Sequence, residues 1–211
     1  MIRLDIFSDP VCPWCFIGKA NLDRALEAHP AHPFRIEWHP FQLNPDMPAG
    51  GVDKHRYLAE KFGEDRLVQM HLRLKEASRA AGAEIDADTP KRMPNTLDAH
   101  RLIHRAGLEG RQTAVVSAIM RAYWREGRDI GNAGVLTDIA AAAGMDRAVT
   151  ARLLASDADA DDIRARDADA RQKGVNSVPT FLIAQHYVVT GAQPPEVWGN
   201  VIRELLEQSG P

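Results

Sequence analysis

The chain has 211 residues, 45% hydrophobic and 26% charged, with 15 Gly, 13 Pro and 2 Cys. That length suits one domain with an insertion or two small domains, and the composition excludes disorder, collagen and a disulfide-stapled mini-fold. The 26 Lys+Arg against 29 Asp+Glu leave a net charge of −3, with no basic excess to draw a nucleic acid or a membrane surface. Function therefore has to come from a local site.

Residues 2–7 alternate apolar and charged side chains (Ile2, Leu4 and Ile6 against Arg3 and Asp5), which predicts a strand. This start lacks the basic residues and unbroken apolar run of a signal peptide, and no segment approaches the roughly 18 apolar residues of a membrane span. The expectation is a cytoplasmic protein without a membrane partner. In that compartment two cysteines point to reactive or metal-bound use rather than to a structural staple.

A helix is predicted next. Pro13 suits its first position, Ile17, Ala20, Leu22, Ala25 and Leu26 give it an apolar face, and His29-Pro30 ends it. From Phe34 to Phe41, Phe34, Ile36 and Trp38 alternate with Arg35, Glu37 and His39, a second strand that can lie parallel to the first across the helix. Leu43 to Gly51 reads as a connecting loop.

Beyond it the periodicity is helical up to Gly174. Leu67, Met70, Leu74, Ala77 and Ala81 make one stripe, Leu102, Ile103 and Ala106 a second, Val115, Val116, Ile119, Met120 and Tyr123 a third, and Leu136, Ile139, Ala140 and Ala143 a fourth. Gly82, Gly107, Gly127 and Gly144 fall where helices should stop. The charge run 157–171 has helical logic too: Asp162 with Arg166, and Asp167 with Arg171, pair at i,i+4 along a solvated face.

Val178 to Ile183 and Tyr187 to Thr190 predict a hairpin turning at Ala184-Gln185-His186. A last helix follows, with Val197, Trp198, Val201, Ile202, Leu205 and Leu206 on its apolar side. The two ends, β-α-β and β-β-α, match an α/β thioredoxin fold interrupted by a large α-helical insertion. The expected division is 1–50 and 175–211 for the two thioredoxin-like parts and 51–174 for the insertion.

Both cysteines lie in Cys12-Pro13-Trp14-Cys15, between a strand and a helix. Three residues apart on a helix, their Cα atoms stand about 5 Å from each other, inside the roughly 4.4–6.8 Å that a disulfide accepts. The loop such a bond closes is too short to remove much chain entropy, so the spacing suits a redox pair better than a staple. At the helix start, free N–H groups and the positive dipole end favour a Cys12 thiolate, while Cys15, one turn in, is expected to be buried and protonated until it resolves a mixed disulfide. Trp14 adds bulk and no charge. A zinc site completed by His100 and His104, at i,i+4, is the competing reading, although a proline-initiated helix is a poor zinc knuckle. Val178-Pro179 taken alone reads as a trans proline at the start of a strand.

The ordered set Asp9-x-x-Cys12-Pro13-Trp14-Cys15, Asn95-Thr96-x-x-Ala99-His100-Arg101-Leu102, Gly174-Val175-x-x-Val178-Pro179-Thr180-Phe181 and Gly191-Ala192-Gln193 resembles the DsbA family of oxidoreductases, in its FrnE-like branch. The resemblance spans nearly the whole chain. It implies a cis peptide at Val178-Pro179 facing the Cys12 sulfur, and Asn95, Thr96 and His100 along the insertion side of the cleft, with capping of its helix as the other reading of Asn95. Related 2-hydroxychromene-2-carboxylate isomerases and kappa-class glutathione transferases typically carry Ser where Cys12 stands; keeping both thiols favours redox chemistry. Trp14 in place of the usual His argues against an oxidase role.

The resulting expectation is a thiol–disulfide oxidoreductase working as reductase or isomerase, with Cys12, Cys15, Pro13, Trp14 and Pro179 catalytic and Val178, Asn95, Thr96 and His100 binding substrate. Its partners would be a disulfide-bearing protein or a small thiol, and its assembly a monomer or homodimer. It would need no metal and no cofactor beyond the cysteine pair, with glutathione as a reductant or co-substrate. The alternative is a glutathione-dependent isomerase or transferase on a small aromatic molecule.

Overall fold

The computed structural model describes residues 1–208. Strand β1 (Ile2–Ser8), helix α1 (Pro13–Ala28) and strand β2 (Phe34–Pro40) form the first unit. The strands run parallel, in register from Ile2 with Phe34 to Ser8 with Pro40. Leu4 and Ile6 are fully buried, and α1 begins on Pro13 and closes at His29 as its proline pattern requires.

At the other end of the chain, β5 (Thr180–Ile183) and β6 (Tyr187–Thr190) form an antiparallel hairpin. Its turn places Ala184 and Gln185 at φ of 53° and 63°, with the His186 amide donating to the Ile183 carbonyl, the right-twisted turn that suits two flanking strands. β5 pairs antiparallel with β1, so the sheet order is β2-β1-β5-β6 and strands from both ends of the chain share one sheet. Helix α9 (Pro195–Gln208) packs beside α1, with Trp198 edge-on to Phe181 at 4.7 Å between ring centroids.

The middle of the chain supplies a short β3 (Val52–Asp53), α2 (Lys54–Phe62), α3 (Glu64–Ala81), β4 (Arg92–Met93), α4 (Leu97–Leu108), α5 (Gln112–Trp124), α6 (Ala133–Ala142), α7 (Arg147–Leu154) and α8 (Ala160–Gln172). Helices α4, α5 and α8 pack against β2. The stripes from Leu102 and from Val115 to Tyr123 are buried as their spacing predicts. The outer edge of β2 is closed locally by Gln112, whose side-chain amide accepts from the Trp38 N–H at 2.9 Å and donates to the Trp38 carbonyl at 3.1 Å. The architecture is a thioredoxin fold carrying a helical insertion.

Three expectations need correction. The helical block is interrupted between Gly82 and Thr96, where Pro90 and Pro94 break the helix and β4 pairs with β3. Gly51, at φ 64°, allows that pairing, because a Cβ there would stand 2.6 Å from the Met93 carbonyl. Gly107 does not stop α4, which runs to Leu108, and the left-handed residue is Gly110. Finally, the charged stretch is helical with both ion pairs formed, Asp162–Arg166 at 2.7 Å and Asp167–Arg171 at 3.0 Å, yet Asp167 is buried rather than solvated.

Candidate active site

The strand-to-helix turn places the two sulfurs. Cys12 is the N-cap of α1 in an extended conformation, its amide donates to the Asp9 carbonyl at 2.9 Å, and its own carbonyl accepts from the Cys15 and Phe16 amides. Both cysteines are free thiols and buried, whereas Trp14 between them is 42% exposed. Burial pushes the Cys15 thiol well up, and hydrogen bonding to Cys12 and the charge on Cys12 push the same way. The Asp9 backbone amide pulls against them. Cys12 therefore stands at the helix start, and Cys15, its thiol held protonated by burial, lies one turn in.

The other wall comes from the far end of the chain. The Val178-Pro179 peptide is cis, and the Val178 carbonyl accepts from the Cys12 thiol at 3.5 Å. A cis bond here replaces the trans form that Val178-Pro179 suggests when read alone, as the family resemblance implies.

Beneath the pair lies a polar layer. Asp9 is fully buried, and its carboxylate accepts from the Leu43 amide at 2.8 Å and the Val11 amide at 3.5 Å. The His100 Nε2 stands 3.7 Å from Asp9 Oδ1, longer than a hydrogen bond. The Gln42 amide donates to Asp167 at 2.9 Å, and the Gln42 side chain reaches Asn95 and Thr96, each at 3.4 Å. Asn95, one residue before the Thr96 N-cap of α4, accepts from the Leu97 amide at 2.9 Å and donates to the Met47 carbonyl at 2.6 Å, tying the helix start to the loop after β2. Trp124 of α5 donates its indole N–H to the Pro10 carbonyl at 3.0 Å, fixing the insertion to the loop that leads into Cys12.

The sequence-predicted residues thus fall into three clusters. Cys12, Pro13, Trp14, Cys15, Val178 and Pro179 converge. Asn95 and Thr96 join Gln42, and His100 joins Asp9. Sequence reading missed Asp9, Gln42 and Trp124 as site residues. Asp9 stands in the quoted motif and could have been flagged as a carboxylate at a strand end beside a thiol; Gln42 carries no signal.

A zinc reading loses its ligands here. His100 faces Asp9, and His104 faces Asp162 at 3.8 Å. Among the described residues, the group of side chains with metal-ligand spacing is Asp5, Glu37 and His39, away from the cysteines. Arg3 already sits on that group, 2.6 Å from Asp5 and 3.4 Å from Glu37, which makes it an ion-pair cluster.

The DSBA-like thioredoxin domain family matches residues 3–203. The chain is 26% identical over 204 residues to an uncharacterized protein, YwbO, from Bacillus subtilis (strain 168), covering 96% of each. Among solved structures it is similar to a probable DsbA oxidoreductase, SCO1869, from Streptomyces coelicolor, with 30% identity, a TM-score of 0.88, and coverage of 100% of this chain and 92% of the other. It shares the fold of the cytosolic disulfide reductase DsbM from Pseudomonas aeruginosa, at 21% identity, TM-score 0.71, and coverage of 98% and 99%. Among the described residues no helix is long and apolar enough to cross a membrane.

Proposed function

The chain belongs to the DSBA-like thioredoxin domain family, whose oxidoreductases act through cysteines without a prosthetic cofactor, and we propose that it is a thiol–disulfide oxidoreductase with Cys12 as nucleophile and Cys15 as resolving thiol. Cys12 thiolate attacks a substrate disulfide and forms a mixed disulfide; Cys15 then displaces the substrate thiol, leaving the pair oxidised and the substrate reduced. The observation that carries this reading is the asymmetry of the pair, one free thiol at a helix N-terminus against the Val178 carbonyl and the other buried one turn inside. Val178 and Pro179 border the attacking sulfur, and exposed Trp14 offers an apolar surface to an incoming chain.

In a reducing cytosol the resting state is the dithiol, so net work runs toward reduction or isomerisation of a disulfide-bearing protein or a small disulfide, with glutathione as the reductant. The description of DsbM as a cytosolic disulfide reductase supports that direction and place. Equilibration in glutathione redox buffers, followed by Trp14 fluorescence with the thiol state read by mass, tests the reading. A two-electron transition confined to Cys12 and Cys15 is the expected result, and its midpoint against a cytosolic poise of about −220 to −320 mV sets the direction. If no intramolecular disulfide forms, or if disulfide exchange survives Cys12→Ser, the reading fails. Glutathione bound without being oxidised would favour an isomerase or transferase instead.

A further inference from the structure

Strand β2 is an edge of the main sheet, and its outer side is capped at two rungs and open at the one between them. The Ile2 amide donates to the Pro33 carbonyl and the Phe41 amide to the Ser8 carbonyl, so alternate residues from Pro33 to Phe41 turn their backbone groups toward β1. Phe34, Ile36 and Trp38 turn theirs outward. The Gln112 side-chain amide meets both groups of Trp38, and the Phe34 amide donates to His32 Nδ1 at 3.3 Å. Among the described residues nothing bonds to the N–H or C=O of Ile36.

We propose that this open rung receives the extended C-terminal end of a peptide, whose backbone pairs with Ile36 as a one-rung added strand and whose terminal carboxylate is held by Arg35 and Arg111. The site is separate from the thiol pair, and its ligand needs no sulfur.

The space in front of Ile36 fits such an end. Ile36 lines a cavity of about 650 Å³ together with Trp38, Ile103, Gln112 and Ile163. That volume lies in the roughly 300–1,000 Å³ range of small-ligand pockets, so it takes a few residues and not a domain. The caps on either side set the same limit. Edge-to-edge pairing with β2 of a second copy needs several adjacent free rungs, and Gln112 and His32 leave one.

Gln112 shows the chemistry that the rung accepts. Its amide gives one N–H and one C=O to a single strand residue, which is what a peptide unit would give to Ile36 two residues away. Charge completes the match. The lining carries Arg35, Arg111 and Arg166 against Glu37, a net +2 with histidines neutral. Arg166 is engaged by Asp162 at 2.7 Å, and Glu37 by Arg3 at 3.4 Å. Arg111 gives one N–H to the Ala143 carbonyl at 2.9 Å, which leaves most of its donor fork free, and Arg35 has no ion-pair partner among the described residues. Two guanidinium groups without a carboxylate, beside an unpaired backbone rung, suit a ligand that brings a peptide unit and an anion together.

The test titrates isotope-labelled full-length protein with N-acetyl-Ala-Val-Val bearing a free C-terminal carboxylate, and follows amide shifts. The largest shifts should fall on the Ile36 backbone amide and the Gln112 side chain. N-methylation of the probe's two Val nitrogens should weaken binding about tenfold, because the rung then lacks its donor. C-terminal amidation should weaken it by about tenfold or more. Arg35→Glu, at an exposed position, should cost the free acid about tenfold and the amidated probe much less. Shifts centred on Trp14 and Val178 would place the peptide at the thiol site and overturn the proposal. Binding indifferent to N-methylation would reduce the site to a charged patch, and indifference to amidation would remove the carboxylate; either overturns it. Ile36 shifts that depend on protein concentration without probe would give the edge to a second copy, which also overturns it. The N-methylated probe needs no variant, so the rung is tested even if Arg35→Glu does not fold.

Discussion

The Cys12 sulfur and the Val178 carbonyl oxygen stand 3.5 Å apart although 166 residues separate them in the chain. The first comes from the turn after β1, the second from the residue before Pro179 and β5, and antiparallel pairing of β1 with β5 brings them together. Any change that moves β5 against α1 therefore alters the wall against which Cys12 reacts. The helical insertion, by contrast, reaches the site from beneath, through Trp124 on Pro10 and His100 on Asp9.

Gly18 is the contact that sets this spacing on the α1 side. A Cβ there would meet the Pro179 ring at 3.0 Å and the Ala192 backbone at 3.4 Å. Gly18→Ala gains about 1 kcal/mol of helix propensity, but crowding a packed site costs roughly 1–3 kcal/mol. The ring and the backbone behind it have little room to retreat, so the net effect should be destabilising by about 1 kcal/mol, with slower exchange at Cys12. Denaturant midpoints and the rate of Cys12–glutathione adduct formation check both, and a stabilised, fully active variant would refute the argument.

The two thiols should differ sharply in reactivity. Iodoacetamide at pH 7 should place one label on native reduced protein, at Cys12, because burial holds Cys15 in the unreactive protonated form. Cys15 should label only after denaturation. Peptide mapping reads this directly, and equal labelling of the two in native protein would contradict the asymmetry.

What the sequence disclosed follows the range of the physics involved. The Cys12-Pro13-Trp14-Cys15 turn is local, since a strand, a proline-started helix and a three-residue spacing define it without tertiary information. The hairpin around Ala184-Gln185 is likewise written in adjacent residues. β3 and β4, two residues each, are too short to show alternation, and only their pairing in space makes them strands. Asp9 with His100, and Gln42 with Asp167, depend on which loops the insertion folds against, which no periodicity records. An i,i+4 pair such as Asp167 and Arg171 looks the same in sequence whether its face meets water or, as here, the loop after β2.

That loop yields a further prediction. Asp167 accepts the Gln42 amide at 2.9 Å, while Arg171 donates to the Gln42 carbonyl and lies over the Phe41 ring at 4.0 Å. Asp167→Ala leaves a buried amide unpaired, which should cost about 2 kcal/mol, with Asp167→Asn milder because one acceptor remains. Hydrogen exchange at Gln42 and Leu43 should rise with the loss, since Leu43 follows directly and its amide holds Asp9. Surface-like effects below about 0.5 kcal/mol, without altered exchange, would show that the clamp has no structural weight.

Lys54 gives the pH dependence of stability a defined sign. It is 5% exposed, donates to the Ala87 carbonyl and lies 5.2 Å from the Trp124 ring centroid. Burial, the largest influence, pulls its pKa down to about 8, against the raising pull of Asp88 and Asp86. The unfolded chain, near the ordinary lysine value of about 10.4, binds this proton more tightly than the folded one, so between about 8 and 10.4 stability rises with pH. The stabilisation is complete above the unfolded value and is lost as pH falls through the folded one. At pH 7 the cost is therefore fully present, of the order of 3 kcal/mol. Lys54→Met removes that cost but leaves the Ala87 carbonyl without its donor, an offset of about 1 kcal/mol. Urea titrations should find the variant more stable than wild type by about 1–2 kcal/mol at pH 7. That advantage should shrink as pH rises from 8 toward 10.4, because wild type gains stability there and the variant has no such proton to lose. Cys15 and Tyr123, held protonated by the fold, titrate alike in both proteins and cancel from the difference. A difference that stays constant across this range would show that Lys54 is not the group responsible.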